Sequence, residues 1–287
     1  MMTDCVQEGD AHTRFLMGVH AKHPGLTELS IGAARTADGL SSYEAFCRFV
    51  NPRPGMAVVD LACGNGPLCE ILAKRVGPDG QVVGVDLSEA ELRLAADRLR
   101  GISNVRLIHG AAAQLPLPDA SADCVVCHMA FMLLTPLDQA VREIGRVLKK
   151  GAVFAAVIPT LRAPSESFRT CAGVLREALR EERHPLEALS RNAVSLNSVS
   201  DLARVFGGDG WRPQEIEVCD IDVCLSAAPE ELVALAAPAF YHYQLLSDAG
   251  RWRVNEKWRL LFESGCDEGG VCRFYFPLSA FSVRRAF

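Results

Sequence analysis

The chain has 287 residues, 49% hydrophobic and 23% charged, a balance that favours a globular protein with a sizeable core and argues against wholesale disorder. Its formal net charge of -5 offers no general attraction to phosphate backbones or anionic membranes, so neither nucleic acid nor a membrane is expected as a partner. The stretch MMTDCVQEGDAHTR carries acids without an apolar run of signal-peptide length, and no later run is long enough to span a bilayer, so a cytoplasmic protein is expected. Eleven cysteines, an odd number scattered through apolar segments, read as reduced thiols serving as small hydrophobes.

In chain order, residues 13–50 read as helical, with GLSSYEAFCRFV an amphipathic run that ends at the turn-rich Asn51-Pro52-Arg53-Pro54-Gly55. MAVVDL (Met56–Leu61) is a β-branched apolar run followed by Ala62-Cys63-Gly64-Asn65-Gly66 and the helix-like PLCEILAKRVG. QVVGVD (Gln81–Asp86) predicts a second strand. Ser88 and Glu91 after it have the spacing of a capping box, and Leu92, Ala95, Ala96 and Leu99 continue with helical periodicity.

NVRLIH (Asn104–His109) predicts a third strand, and Cys124–Met129 a fourth after the turn-forming LPLPDASAD. Thr135-Pro136 is expected to open a helix to Leu148, closed by Lys149-Lys150-Gly151, with a fifth strand over Ala152–Ile158. Beyond it, residues 164–206 read as mostly helical, Gln214–Cys224 as an alternating strand, residues 229–262 as helical with aromatics, and Val271–Val283 as strand-rich.

Strands alternating with helices imply an α/β fold: a doubly wound, mainly parallel sheet with its ligand at the carboxyl ends of the strands. The expected organisation is an N-terminal helical cap (1–50), an α/β core (51–160), and a segment (161–287) supplying helical insertions, the last strands and a substrate lid.

A glycine-rich turn between the first strand and its helix brings backbone close to a ligand. The dinucleotide fingerprint G-x-G-x-x-G would need glycine at position 69, where Cys69 stands. Asp60 ends the first strand and Asp86 the second. An acid beside the loop suits a cationic, amine-bearing ligand and repels a pyrophosphate, and an acid ending the second strand can accept hydrogen bonds from ribose hydroxyls.

The segments VVDLACGNG, VVGVDLSEAEL, GAAAQLPLPDASADCVVCHMAFMLL and REIGRVLKKGAVFAAVIP, in this order and spacing, resemble a class I S-adenosylmethionine-dependent methyltransferase of the small-molecule type. The resemblance covers residues 40 to 160 well and implies a seven-stranded sheet. It also implies that Asp60, Ala62, Cys63, Gly64 and Gly66 surround the methionine part of the cofactor, with Asp86 on the ribose and Leu87 against the adenine. Tyr43 matches a position that contacts the methionine end. Many relatives carry an acid after the third strand that meets the adenine amino group. This chain has Ala111-Ala112-Ala113-Gln114 there, leaving backbone of Ala111 and Ala112 or the amide of Gln114 to serve.

Asp123-Cys124-Val125-Val126-Cys127-His128 spells the C-x-x-C-H of haem attachment. On a strand, residues three apart face opposite sides, so Cys124 and Cys127 are expected to share neither haem nor metal. His128, at the carboxyl end of that strand, is a candidate general base or a residue that shapes the pocket, and His128 and Met129 are expected at the cofactor. His242, within APAFYHYQLL, is the second base candidate. Phe131, Tyr241 and Tyr243 are candidates for the acceptor wall, with Trp252 and Trp258 extending the aromatic surface.

These observations favour an enzyme that methylates oxygen or nitrogen, ahead of carbon, on a small organic molecule of specialised metabolism. In-line displacement at a sulfonium needs alignment and desolvation more than a strong base. The product would be S-adenosylhomocysteine. No metal is implied, and a homodimer is compatible with the chain. Two alternatives stand beside it: a cyclase or isomerase that retains the sulfonium, and a non-catalytic cofactor-binding subunit.

Overall fold

A computed structural model of the chain describes residues 11–159, 161, 164–184, 196–208 and 210–286. The acidic N-terminal stretch, Cys5, and residues 185–195 of the expected helical segment lie outside the described residues.

The chain divides into two units, a helical one (Met1–Ser42, Ala163–Asn192 and Asp222–Pro277) and a sheet unit (Tyr43–Arg162, Ala193–Ile221 and Leu278–Phe287). Tyr43 and nearly all of α2 (Ser42–Val50), expected in the N-terminal cap, go with the sheet. The reason is local: Phe46 is fully buried, and the rings of Tyr43 and Phe46 lie 4.2 Å and 6.0 Å from that of His128.

The seven-stranded sheet has the order β3-β2-β1-β4-β5-β7-β6. Its strands are β1 (Ala57–Leu61), β2 (Gln81–Asp86), β3 (Val105–His109), β4 (Ala122–His128), β5 (Leu148–Pro159), β6 (Trp211–Ala227) and β7 (Cys272–Arg285). Neighbours from β3 to β5 are parallel, and β7 pairs antiparallel with β5. The strand order reverses between β1 and β4, the switch point where a doubly wound sheet leaves room for a ligand at its carboxyl edge.

The parallel strands are connected through α3 (Pro67–Val76), α4 (Glu89–Arg98) and α5 (Leu137–Val147). In α5 the buried Leu137, Ala140, Val141, Ile144 and Val147 fall at the 3, 4 and 7 spacings of one helix face. A cluster of rings fills the core: Phe131 packs on Phe154, Phe206 and Phe281 with centroids 5.1 Å, 5.7 Å and 5.5 Å away. Phe131, expected at the acceptor wall, is fully buried, and its ring packs in the core.

Among the boundaries that differ from the sequence reading, three stand out. Pro136 has extended backbone, so α5 begins at Leu137 with Pro136 in the capping position. Lys149, Lys150 and Gly151 lie inside β5 instead of closing the helix, and Lys149 donates to Asp123 at 2.7 Å. β6 begins three residues early, and its alternation of buried and open positions is confined to Ile221 through Ala227.

The helical unit contains α1 (Ala11–Lys22), α6 (Glu166–Glu181), α8 (Pro229–Ala236) and α9 (Asp248–Glu263), whereas the short α7 (Val199–Val205) belongs to the sheet unit. Trp258 is fully buried and donates to the Cys171 carbonyl at 3.1 Å, with Phe240 and Tyr243 against its ring. Cys266 and Cys272 form a disulfide, which corrects the reading of all cysteines as thiols. Between them Asp267 accepts from the amides of Gly269 and Val271 through its side chain, and this turn brings the two Cα atoms to 4.1 Å. Among the described residues no helix is long and apolar enough to cross a membrane.

Candidate active site

The carboxyl ends of β1 and β2 carry the two acids. Asp60 is 1% exposed, and its carboxylate accepts from the Cys69 thiol at 3.2 Å. Burial, moderated by that hydrogen bond and reinforced by the charge of Asp86, pushes its pKa up to about 7. A carboxyl so poised gains most from a cation placed against it.

Asp86 is held differently. Its two oxygens accept the amides of Gly64 and Ser88, each at 2.8 Å, which fixes the plane of the carboxylate beside the loop. This corrects half of the expected capping box. The Ser88 hydroxyl does accept from the Glu91 amide at 3.4 Å, but the Ser88 amide is taken by Asp86. Glu91 is instead buried, with Oε2 3.9 Å from where a Cβ on Gly64 would stand. Sequence reasoning missed this third acid at the loop because the capping spacing already accounted for it.

The loop itself is left-handed at Ala62, Gly64 and Gly66, with φ of 57°, 53° and 84°. A Cβ on Gly66 would lie 3.2 Å from Cβ of Ala95 and 3.1 Å from Leu99, so glycine there serves both conformation and packing. Cys69 occupies the position of the missing third glycine and is fully buried on α3. Space for it comes from Gly84 in β2, where a Cβ would meet Cys69 Sγ at 2.9 Å, Cys63 Sγ at 3.0 Å and Leu107 at 2.8 Å.

Beyond β3, the bridge between Ala111 and Gln114 forms a tight turn, with the Gln114 amide donating to the Ala111 carbonyl at 3.1 Å. The segment after it is pinned from α5. Glu143 accepts the Leu115 amide at 2.8 Å, while Arg146 donates to the carbonyls of Leu115 and Leu117 at 2.9 Å and 2.8 Å. At the exposed end of β3, His109 Nε2 lies 2.9 Å from the Leu87 carbonyl.

At the end of β4, Met129 has φ 57°, a left-handed backbone costly for a side-chain-bearing residue and therefore held by its surroundings. Its amide donates to the Val157 carbonyl at 2.9 Å. The ring of His128 is buried under Tyr43, and burial pulls its pKa down to about 3. The imidazole is therefore neutral at ordinary pH. Cys124 and Cys127 are both buried, and Cys127 joins the core packed around Phe131. Burial pushes the Cys124 thiol up to about 12 and raises that of Cys127 as well, so neither presents a thiolate. Among the described residues no group of three or more His, Cys, Asp or Glu side chains could hold a metal ion.

The remaining candidates lie in the helical unit. Tyr241 and Thr27 share a hydrogen bond at 2.6 Å, and the Tyr241 ring stands edge-on to His20. His242 stacks on Phe15 with centroids 5.3 Å apart, and burial, aided by the charge of His12, lowers its pKa. Tyr243 is spent on structure: its hydroxyl donates to Asn255 at 2.8 Å and its ring packs on Trp258. Trp252 is 67% exposed.

The donor set fits S-adenosylmethionine: a buried carboxyl for an ammonium, a fixed carboxylate for ribose hydroxyls, and left-handed backbone that brings amides close. Residues 52–192 match a family model described as a methyltransferase domain. Demethylmenaquinone methyltransferase of Staphylococcus aureus is 28% identical over 166 residues, which is 55% of this chain and 69% of that protein. Among solved structures, phosphoethanolamine N-methyltransferase 2 of Haemonchus contortus, in complex with phosphomonomethylethanolamine and S-adenosylhomocysteine, superposes with a TM-score of 0.56 at 16% identity, covering 96% of this chain and 58% of that one. The [4+2]-cyclase SpnF superposes with a TM-score of 0.53 at 17% identity, covering 98% of this chain and 95% of that one. The glycine loop, the two strand-end acids and the matched segment together support a class I S-adenosylmethionine-dependent methyltransferase domain over residues 52–192.

Proposed function

We propose that the enzyme transfers the methyl group of S-adenosylmethionine to an oxygen or nitrogen atom, ahead of carbon, of a small organic acceptor of specialised metabolism. The observation that carries the cofactor's placement is the pairing of Asp60, with its pKa near 7, and Asp86 around one left-handed loop. In this reading Asp60 holds the methionine ammonium, Asp86 the ribose hydroxyls, and Leu87 the face of the adenine. The backbone of Ala62, Cys63, Gly64 and Gly66 lines the methionine part, that of Ala111 and Ala112 the adenine, and Tyr43, His128 and Met129 stand at the methyl end. The cofactor supplies an activated methyl group on a sulfonium.

The chain's own contribution is alignment and exclusion of water. His128, neutral and weakly basic, is better suited to accept a hydrogen bond that orients an acceptor than to remove a proton. A small acceptor is supported by the acidic net charge and by the relative whose name specifies demethylmenaquinone. The test is incubation with methyl-labelled cofactor and a panel of phenols, amines and hydroxylated metabolites. Failure to bind S-adenosylhomocysteine in calorimetry would sink the reading.

The likeness to a [4+2]-cyclase favours one second reading, conversion of a substrate without methyl transfer. Substrate consumption without S-adenosylhomocysteine formation would select it.

A further inference from the structure

The sheet order places β1, β2 and β3 side by side, so a ligand with its ammonium at Asp60 on β1 and its ribose at Asp86 on β2 extends its base toward the end of β3. The base is adenine, whose exocyclic amine is a hydrogen-bond donor and needs an acceptor. Ala111, Ala112 and Ala113 bring no side-chain acceptor to that edge. His109 is the last residue of β3, in register with Asp86, and its ring is exposed.

The contact with Leu87 sets the chemistry of this ring. A carbonyl oxygen only accepts, so the Nε2 that lies 2.9 Å from the Leu87 oxygen carries the proton. In the neutral imidazole that leaves Nδ1 as an acceptor. The same bond ties the ring to the backbone of the residue proposed to face the adenine. We propose that His109 is a cofactor-binding residue that reads the adenine amine through Nδ1, in place of a carboxylate. The inference rests on the cofactor placement proposed above.

The test is isothermal titration of the full chain with S-adenosylhomocysteine and with its analogue lacking the 6-amino group. The wild type should bind the amino compound about tenfold more tightly, in the range of one lost hydrogen bond. His109→Ala should weaken the amino compound by a similar factor and leave the analogue within about twofold, erasing the preference. His109→Gln, which keeps a donor for Leu87 and an acceptor for the amine, should restore part of it.

Equal weakening of both compounds by His109→Ala would mean that the ring only supports the Leu87 loop and would overturn the proposal. A preference that survives in His109→Ala and disappears in Gln114→Ala would overturn it in favour of the amide. The underlying placement fails separately, if Asp86→Ala binds both compounds as the wild type does.

Discussion

If Asp60 receives the methionine ammonium, cofactor binding must be linked to pH near neutrality. With its pKa pushed up to about 7, half of the free molecules carry a neutral Asp60 at that pH, and binding must expel its proton. The apparent Kd then scales as one plus the ratio of protonated to ionised carboxyl. Between pH 7.5 and 5.5 that factor grows about 25-fold, equivalent to about 2 kcal/mol. Proton release per ligand should rise from about a quarter to nearly one over the same range. His128, with its pKa near 3, stays neutral throughout this window.

Calorimetric titration of S-adenosylhomocysteine in buffers of different ionisation enthalpy reads both quantities at once. Asp60→Asn should flatten the dependence and hold the Kd at or above the acid limit of the wild type. A wild-type Kd independent of pH, with no proton released, would refute the assignment. The same shift has an opposite sign for the ligand-free fold. A carboxyl whose folded pKa is raised contributes stability below its unfolded pKa that is lost as pH climbs through about 7, at most about 4 kcal/mol here. Asp60→Asn should therefore melt higher than wild type at pH 8 and about equally at pH 4.

Further outcomes follow from neighbouring residues. His128 has a depressed pKa, so its contribution to stability is present above pH 6.5 and lost as pH falls toward 3; His128→Asn should reduce acid destabilisation by up to about 5 kcal/mol, in acid unfolding monitored by circular dichroism. The shape of kcat against pH between 5 and 8 should be the same in both proteins, and an inflection present only in the wild type would show that the ring takes a proton. Phe131→Ala should cost about 3 to 5 kcal/mol in denaturant unfolding, with the KM for acceptor unchanged in the folded fraction. Gly84→Ala should cost about 1 to 3 kcal/mol through crowding of Cys63, Cys69 and Leu107, and should also weaken cofactor binding, because two of those residues flank the loop and Asp60.

Much of the sheet was legible because β-branched runs alternate with helical periodicities. Asp60 and Asp86 stand out by their place at strand ends. What escaped depends on contacts between distant segments. Lys149, Lys150 and Gly151 have the composition of a helix end, and only pairing with β4 and the ion pair to Asp123 make them strand. Phe131 looked like a site residue from its place after β4, yet its surroundings come from Phe154, Phe206 and Phe281, up to 150 positions away. The tautomer of His109 is set by a carbonyl 22 residues earlier, which no local pattern records. The disulfide escaped because an odd cysteine count hides a pair closed by a turn.

The relation between Cys69 and Gly84 bears on how such a loop can change over time. The space that a third glycine would provide on the helix is supplied here from the adjacent strand, so the two positions share one volume and their substitutions are coupled. A larger residue at 84 is less harmful once position 69 has become smaller, whereas enlarging 84 first passes through a crowded intermediate. The order of steps, and not only their end points, then decides which glycine patterns a lineage can reach. A fingerprint read along one segment misses this exchange, because the missing atom has moved to the neighbouring strand.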